Sequence, residues 1–459
     1  MLHPERPGGQ SQGRGRLLPY RTVPWHRSTG RVAVNGVPSL FMPESSLRRG
    51  RRTLLVFTFL LSLITFLDRV AIGAAAGSIR EELHLSPAAM GWAFSAFTFA
   101  YAAFEIPTGW MGDVFGPRKV LTRIVLWWSA FTAATGLAWN FTSLVTVRFL
   151  FGVGEAGAYP NISRSFARWF PVRERGFAHG VVFMGSRVGG AIAVPFVAYL
   201  ISVAGWRQAF YILGAIGAVW SVFWWRWFRD EPAGHSSVSP AELQEIHSGL
   251  VIHQTKTRIK SLLNLNLLML CLMYFCVIYG LYFYLTWLPT YFKEARGFST
   301  QQAALLSSMV LLTGGVTTIA GGWLTDWLSK RYGLKVGRSL GAVALPLSGL
   351  CLIAAALTGQ PILAAFFFAG AAGLADMCLS PSWAMCHDIG GDAAGTVSGA
   401  MNTFGNLGGA LSPLVVGYAL QWFQSWQTPL LVGGGVYILG GVLTLLINPE
   451  KPLEELGGE

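Results

Sequence analysis

The stretch Arg148–Pro171 reads RFLFGVGEAGAYPNISRSFARWFP. It is apolar at first, with an arginine at its head and Glu155 inside. Arg148 and Glu155 lie seven positions apart, almost two helical turns, so both side chains leave one face of a helix. Ionisable groups at bilayer depth are costly unless they face a polar cavity or a partner. Two readings follow: a structural ion pair between helices, or a binding and proton-handling site in a transport pathway. The second accounts better for the rest of the chain.

The same letters spell GxGxxG through Gly152, Gly154 and Gly157, the pattern of a dinucleotide-binding turn. No strand-like segment precedes it, and it lies within a long apolar helix rather than at a helix start, which excludes that use. Small residues there let a neighbouring helix approach closely.

Of 459 residues, 53% are hydrophobic and 12% charged, with mean hydropathy +0.47. These values describe a polytopic membrane protein rather than a soluble core. The formal charge is +12, much of it in the first 52 residues. The arginines beside the first hydrophobic segment (Arg48, Arg49, Arg51 and Arg52) fit an orientation signal better than a nucleic-acid patch. The five cysteines, Cys271, Cys276, Cys351, Cys378 and Cys386, show no metal spacing and read as buried, inert thiols.

Residues 1–50 form a basic tail rich in Gly, Pro and Arg, for which disorder is expected. Met42 precedes the basic cluster, and translation is expected to start there; an intact mass that includes residue 1 would refute it. Apolar runs of about 20 residues predict twelve spanning helices: 53–78, 88–111, 118–138, 143–166, 177–203, 207–228, 265–292, 301–327, 338–358, 361–386, 395–421 and 427–447. They divide into six-helix bundles at 51–228 and 264–448, joined by a hydrophilic linker at 229–263 and followed by a tail at 449–459. Basic residues gather in loops on one side, which puts both termini in the cytoplasm. Ser239-Pro240-Ala241-Glu242 predicts a capped surface helix in the linker.

The halves echo each other. Ser86 and Pro87 open helix 2, and Ser299 with Gln302 forms a capping box for helix 8. Helix 2 ends in GWMGDVFGPRK (109–119), and helix 8 ends in GWLTDWLSKR (322–331). Each gives a small residue, an aspartate and then a basic pair, as expected of a duplicated six-helix unit with its site between the repeats.

GWMGDVFGPRK resembles the loop 2–3 signature of the major facilitator superfamily, with Val114 where that family usually has Arg or Lys. Asp68-Arg69, the segment from Glu155 to Gly176, YGLYFYLTWLPTY (279–291) and MNTFGNLGGALSPLVVG (401–417) together resemble its anion:cation symporters, the bacterial carriers of sugar acids and other organic anions. The resemblance covers about residues 50–450. It implies an all-α membrane protein with twelve transmembrane helices in two pseudo-symmetric six-helix bundles. It implies proton binding at Asp68 and Glu155, charge balance or substrate contact at Arg69 and Arg148, and substrate contact at Tyr101 and Asn402. Asp113, Arg118, Lys119 and Asp326 are the implied gating residues.

Other positions stay open. Glu105 stands where many relatives have an uncharged residue, and is either a third proton group or a gate partner. Arg187 is either a carboxylate contact or half of an ion pair. Asp376 is its partner, a proton site or a hydroxyl ligand. Ser380, Ser382, Tyr284 and Trp287 are pocket candidates, the last two equally packing residues. Arginine clamps a carboxylate bidentately, and an asparagine offers both donor and acceptor to a polyhydroxy acid.

The expectation is a monomeric carrier in the cell's inner membrane, taking up an organic anion with protons by alternating access. The alternatives are a proton-coupled exporter of a drug or metabolite and a non-transporting sensor. No phosphate loop, metal-ligand helix or nucleophile elbow occurs, so no enzyme, ATP-driven pump or cofactor beyond the proton is expected.

Overall fold

The computed structural model describes residues 49–247, 264–390 and 394–451. The expected disorder of the basic tail, the start at Met42 and most of 449–459 lie outside these residues. So does the linker's second part.

The described chain makes twelve helical passes. In the first half these are α1 (Arg49–Glu82), α2 (Pro87–Phe115), α3 (Pro117–Thr135), α4 (Phe141–Glu155) with α5 (Ala158–Trp169), α6 (Val172–Ala204) and α7 (Trp206–Trp227). The short α8 (Pro240–His247) follows. The second half has α9 (Leu265–Thr286) with α10 (Leu288–Glu294), α11 (Thr300–Tyr332), α12 (Leu334–Arg338) leading into α13 (Gly341–Leu357), α14 (Pro361–Asp376) with α15 (Leu379–Gly390), α16 (Ala394–Phe423) and α17 (Gln427–Leu445). Among the described residues, eight stretches are long and apolar enough to cross a membrane by length and composition alone. The α3 helix misses that measure through Arg118, Lys119 and Arg123, and α4 because its pass is broken. Large apolar side chains such as Trp110, Tyr199, Ile319 and Phe366 remain exposed on the outer surface, as lipid contact requires and water would penalise.

The capping signals form as read. Ser86 Oγ accepts from the Ala89 N–H at 3.1 Å. Ser299 and Gln302 satisfy each other's backbone N–H groups at 3.3 and 3.0 Å. Ser239 Oγ accepts from the Glu242 N–H at 3.2 Å and starts α8.

Duplication is visible in the packing. The main partners α1 with α6, α2 with α4 and α3 with α7 are matched in the second half by α9 with α16, α11 with α14 and α13 with α17. The halves meet along α2 with α16 and α6 with α11, again equivalent pairs.

The fourth, seventh and tenth passes, each expected as one continuous helix, are broken: Gly157, at φ +82°, interrupts the fourth just after Glu155, and the other two divide between α9 and α10 and between α14 and α15. Arg51, one of the arginines read as an orientation signal, is buried. It is 1% exposed and bonds Glu242 at 3.1 Å and Glu245 at 2.7 Å on α8, together with Glu174 on α6. One buried guanidinium thus pins the linker helix to the first half.

Candidate functional site

Let the near end be where α1 begins and the far end where it finishes. At mid-depth the helices bring the predicted charges of the first half together. Arg69 Nε donates to Glu155 Oε1, linking α1 to α4. The Arg69 guanidinium lies over the Tyr101 ring, 4.6 Å from its centroid, and 5.3 Å from that of Phe97. Arg148 lies over Phe151 at 4.4 Å and over Phe97 at 5.3 Å. Aromatic faces are good partners for a guanidinium deprived of water.

Asp68 is fully buried beside Arg148 and Glu155. Trp128 and Thr132 of α3 face it as donors, but neither closes to hydrogen-bonding geometry. Arg69 Nη2, Arg148 Nε and Glu155 Oε2 are likewise buried without a partner. Buried polar atoms are seldom left this way, and each points to a bound proton, water or ligand. Arg69 and Arg148 line one narrow cavity of about 10 Å³ with Ile72, Phe94, Phe97, Tyr282, Leu285 and Thr286. A larger hollow of about 190 Å³, partly open, lies at the far end between α1, α6, α10 and α11. The narrow cavity holds the unpaired donors, so it is the better site.

Glycines allow this convergence. A Cβ on Gly152 would stand 2.3 Å from the Phe97 carbonyl oxygen, and one on Gly154 would strike the Trp127 ring. The GxGxxG letters therefore serve helix packing.

Other predicted residues fall elsewhere. Arg187 Nη1 bonds Asp376 Oδ2 at 3.0 Å, joining α6 to α14 across the halves. Asn402 Nδ2 donates to both oxygens of Glu105, at 3.2 and 3.1 Å, joining α16 to α2. Tyr284 packs against Phe283 and Phe368. Trp287 packs against Phe94 and Trp426, with its N–H toward the Pro413 carbonyl at 3.3 Å. The hydroxyls of Ser380 and Ser382 bond backbone carbonyls of Thr318 and Cys378.

Of the gating set, Arg118 caps α7 by donating to the Trp225 carbonyl at 3.1 and 2.6 Å, and its own N–H bonds Asp230 at 2.8 Å. Lys119 is exposed. Asp326 lies 3.7 Å from Arg338, whose closer partner is Asp388 at 2.7 Å. The Asp113 side chain lies outside the described residues.

Tyr282 was missed. It faces Arg69, Glu155 and Glu105. Its spacing with Leu285 and Thr286, i, i+3 and i+4, puts those three on one helix face, whereas Tyr284 turns about 200° away. Tyr159 was also missed; it joins Ser62 and Ser186 in a hydroxyl triangle at 3.0, 2.9 and 2.6 Å.

At the far end the halves are sealed by close backbone contact. A Cβ on Gly73, Gly91 or Gly417 would meet the carbonyl oxygen of Leu285, Pro413 or Pro87, each at 2.6 Å. Ser95 donates to the Ala410 carbonyl at 2.6 Å, and Arg80 bonds Glu294 at 2.9 Å.

Two repeated helical halves around a buried polar chamber, sealed at one end, define a membrane transporter rather than an enzyme. The profile of the Major Facilitator Superfamily matches residues 58–413, and the chain belongs to that superfamily. It is 38% identical to the "Probable sulfoacetate transporter" of Cupriavidus necator, covering 89% of this chain and 97% of that one. It is 29% identical to the "Probable galactarate/D-glucarate transporter" of Escherichia coli K12, over 89% and 96%. It is 28% identical to the D-galactonate transporter of Escherichia coli O6:H1, over 88% and 98%. In fold it is similar to a bacterial homologue of the human lysosomal transporter Spinster, inward-facing and unoccupied, with TM-score 0.74 at 19% identity, over 87% and 97%.

Proposed function

We propose that the protein carries an organic anion, a sugar acid or other carboxylate or sulfonate, into the cell together with protons. The observation that carries this reading is the Arg69–Glu155 pair beside Arg148 and Asp68, with both arginines lining one cavity. Two arginines and two acids are neutral together. Adding an anion in a low-dielectric site favours adding a proton as well. A proton on Glu155 releases Arg69, whose guanidinium can then clamp the anion alongside Arg148. The far-end contacts part to admit substrate and close before the near end opens. Release follows when the acids give up their protons and Glu155 recaptures Arg69. The relatives' named substrates support the anion class. The basic loops support a cytoplasmic near end in the inner membrane.

The test uses purified protein in liposomes with an imposed inward proton gradient. Labelled D-galactonate should accumulate in wild type, and an outward gradient should reverse the flux. Glu155→Gln should keep exchange of substrate for substrate yet lose accumulation. Normal uphill uptake by that variant would remove Glu155 from the coupling.

A further inference from the structure

Glu105 has no part in the scheme above, yet it is a third acid near the narrow cavity, within electrostatic reach of Arg69 and of the Tyr101 and Tyr282 hydroxyls. On α2 the residues Phe97, Tyr101 and Glu105 succeed one another four apart on one face. Each step is about 6 Å along the helix. Phe97 and Tyr101 are the rings beneath the guanidinium groups. Glu105 therefore lies about one turn beyond Tyr101 toward the near end, a distance a short carbon chain anchored on Arg69 and Arg148 can span.

The chemistry of the two ends differs. At the arginine end, unpaired N–H groups await an acceptor. At the other end, both Glu105 oxygens already accept from the Asn402 amide. With its N–H₂ group so held, Asn402 has its carbonyl oxygen left to offer, an acceptor beside a carboxylate. That corner suits a hydrogen-bond donor and repels a second negative charge, since like charges juxtaposed in a site disfavour binding.

We infer that Glu105 determines specificity: it recognises a hydroxyl or ammonium group at the end of the substrate remote from Arg69 and Arg148, and rejects a second acid there. This rests on the anion-carrier reading and narrows it to monoanions with a donor at the far end of the molecule.

Two matched pairs of probes test it, each differing only in a terminal CH₂OH against COO⁻: D-galactonate with galactarate, and isethionate with sulfoacetate. Binding is read by thermal shift on purified protein, where stabilisation follows ligand concentration over Kd. Wild type should bind the hydroxyl-ended member at least about tenfold more tightly, and Glu105→Gln should shrink that ratio to near unity. The unliganded melting temperature shows that the variant is folded, and the wild-type ranking decides the matter even where it is not. A wild type that prefers the diacids, or a folded Glu105→Gln with an unchanged ratio, overturns the assignment while leaving the carrier reading intact. Failure of all four anions to bind overturns both.

Discussion

Glu155 and Asp376 occupy matching places in the two halves. Each is the last residue of the first helix of a broken pass, and each carboxylate is bonded to an arginine on another helix, Glu155 to Arg69 and Asp376 to Arg187. A helix C-terminus is the negative end of the helix dipole, so an acid there is disfavoured unless a cation offsets it. Both halves solve this alike, with one difference. Arg69 belongs to the same half as Glu155, whereas Arg187 reaches Asp376 across the interface.

The cross-half pair should behave as a buried ion pair. Arg187→Leu or Asp376→Leu alone should destabilise by about 3 kcal/mol, because the surviving charge stays buried, while the double variant should recover most of the loss. Melting temperatures of the four proteins in detergent check this. Additive losses would show that the two residues do not act on each other.

Tyr282 and Tyr284 make a paired comparison. Removing the chamber-facing hydroxyl in Tyr282→Phe should raise the KM for anion uptake several-fold, as expected for one lost hydrogen bond worth about 1 kcal/mol. Tyr284→Phe should leave KM unchanged. Reversal of that order would show that the second tyrosine, not the first, meets the substrate.

Gly157 sets the aim of Glu155. Its φ of +82° is a left-handed conformation, and an added Cβ would stand 2.7 Å from Thr108 Cβ. Gly157→Ala should lose about 1–2 kcal/mol from backbone strain alone and reduce uptake more than expression. An alanine variant with wild-type uptake and melting temperature would show that the break is not needed.

Arg51 anchors the linker helix. Arg51→Ala removes the cation shared by Glu174, Glu242 and Glu245 and should cost on the order of 3 kcal/mol, whereas Arg52→Ala, at an exposed position, should be nearly neutral. Thermal melts of both variants decide it. Equal effects would mean that Arg51 acts only as one of several flanking charges.

Much of this was legible in the chain itself. Helix starts at Ser86, Ser239 and Ser299 follow from local chemistry, because a cap and its target lie within a few residues. The seven-position spacing of Arg148 and Glu155 carries across the pass because helical geometry is regular. What the sequence hid depends on tertiary choice. Nothing local tells that Arg51 turns inward while Arg52 stays out, or that Arg338 takes Asp388 in preference to Asp326. The aromatic run around Tyr282 and Tyr284 is apolar on all sides, so its periodicity does not reveal the chamber face. The break at Gly157 was masked because glycine is common in membrane helices.

The three glycine approaches at the far end have a practical use. There the halves fit so tightly that a single methyl group would act as a wedge. Alanine or valine at Gly73, Gly91 or Gly417 should arrest the carrier with its far end ajar. Such arrested proteins would give crystallographers the opposite posture and selection experiments a homogeneous target.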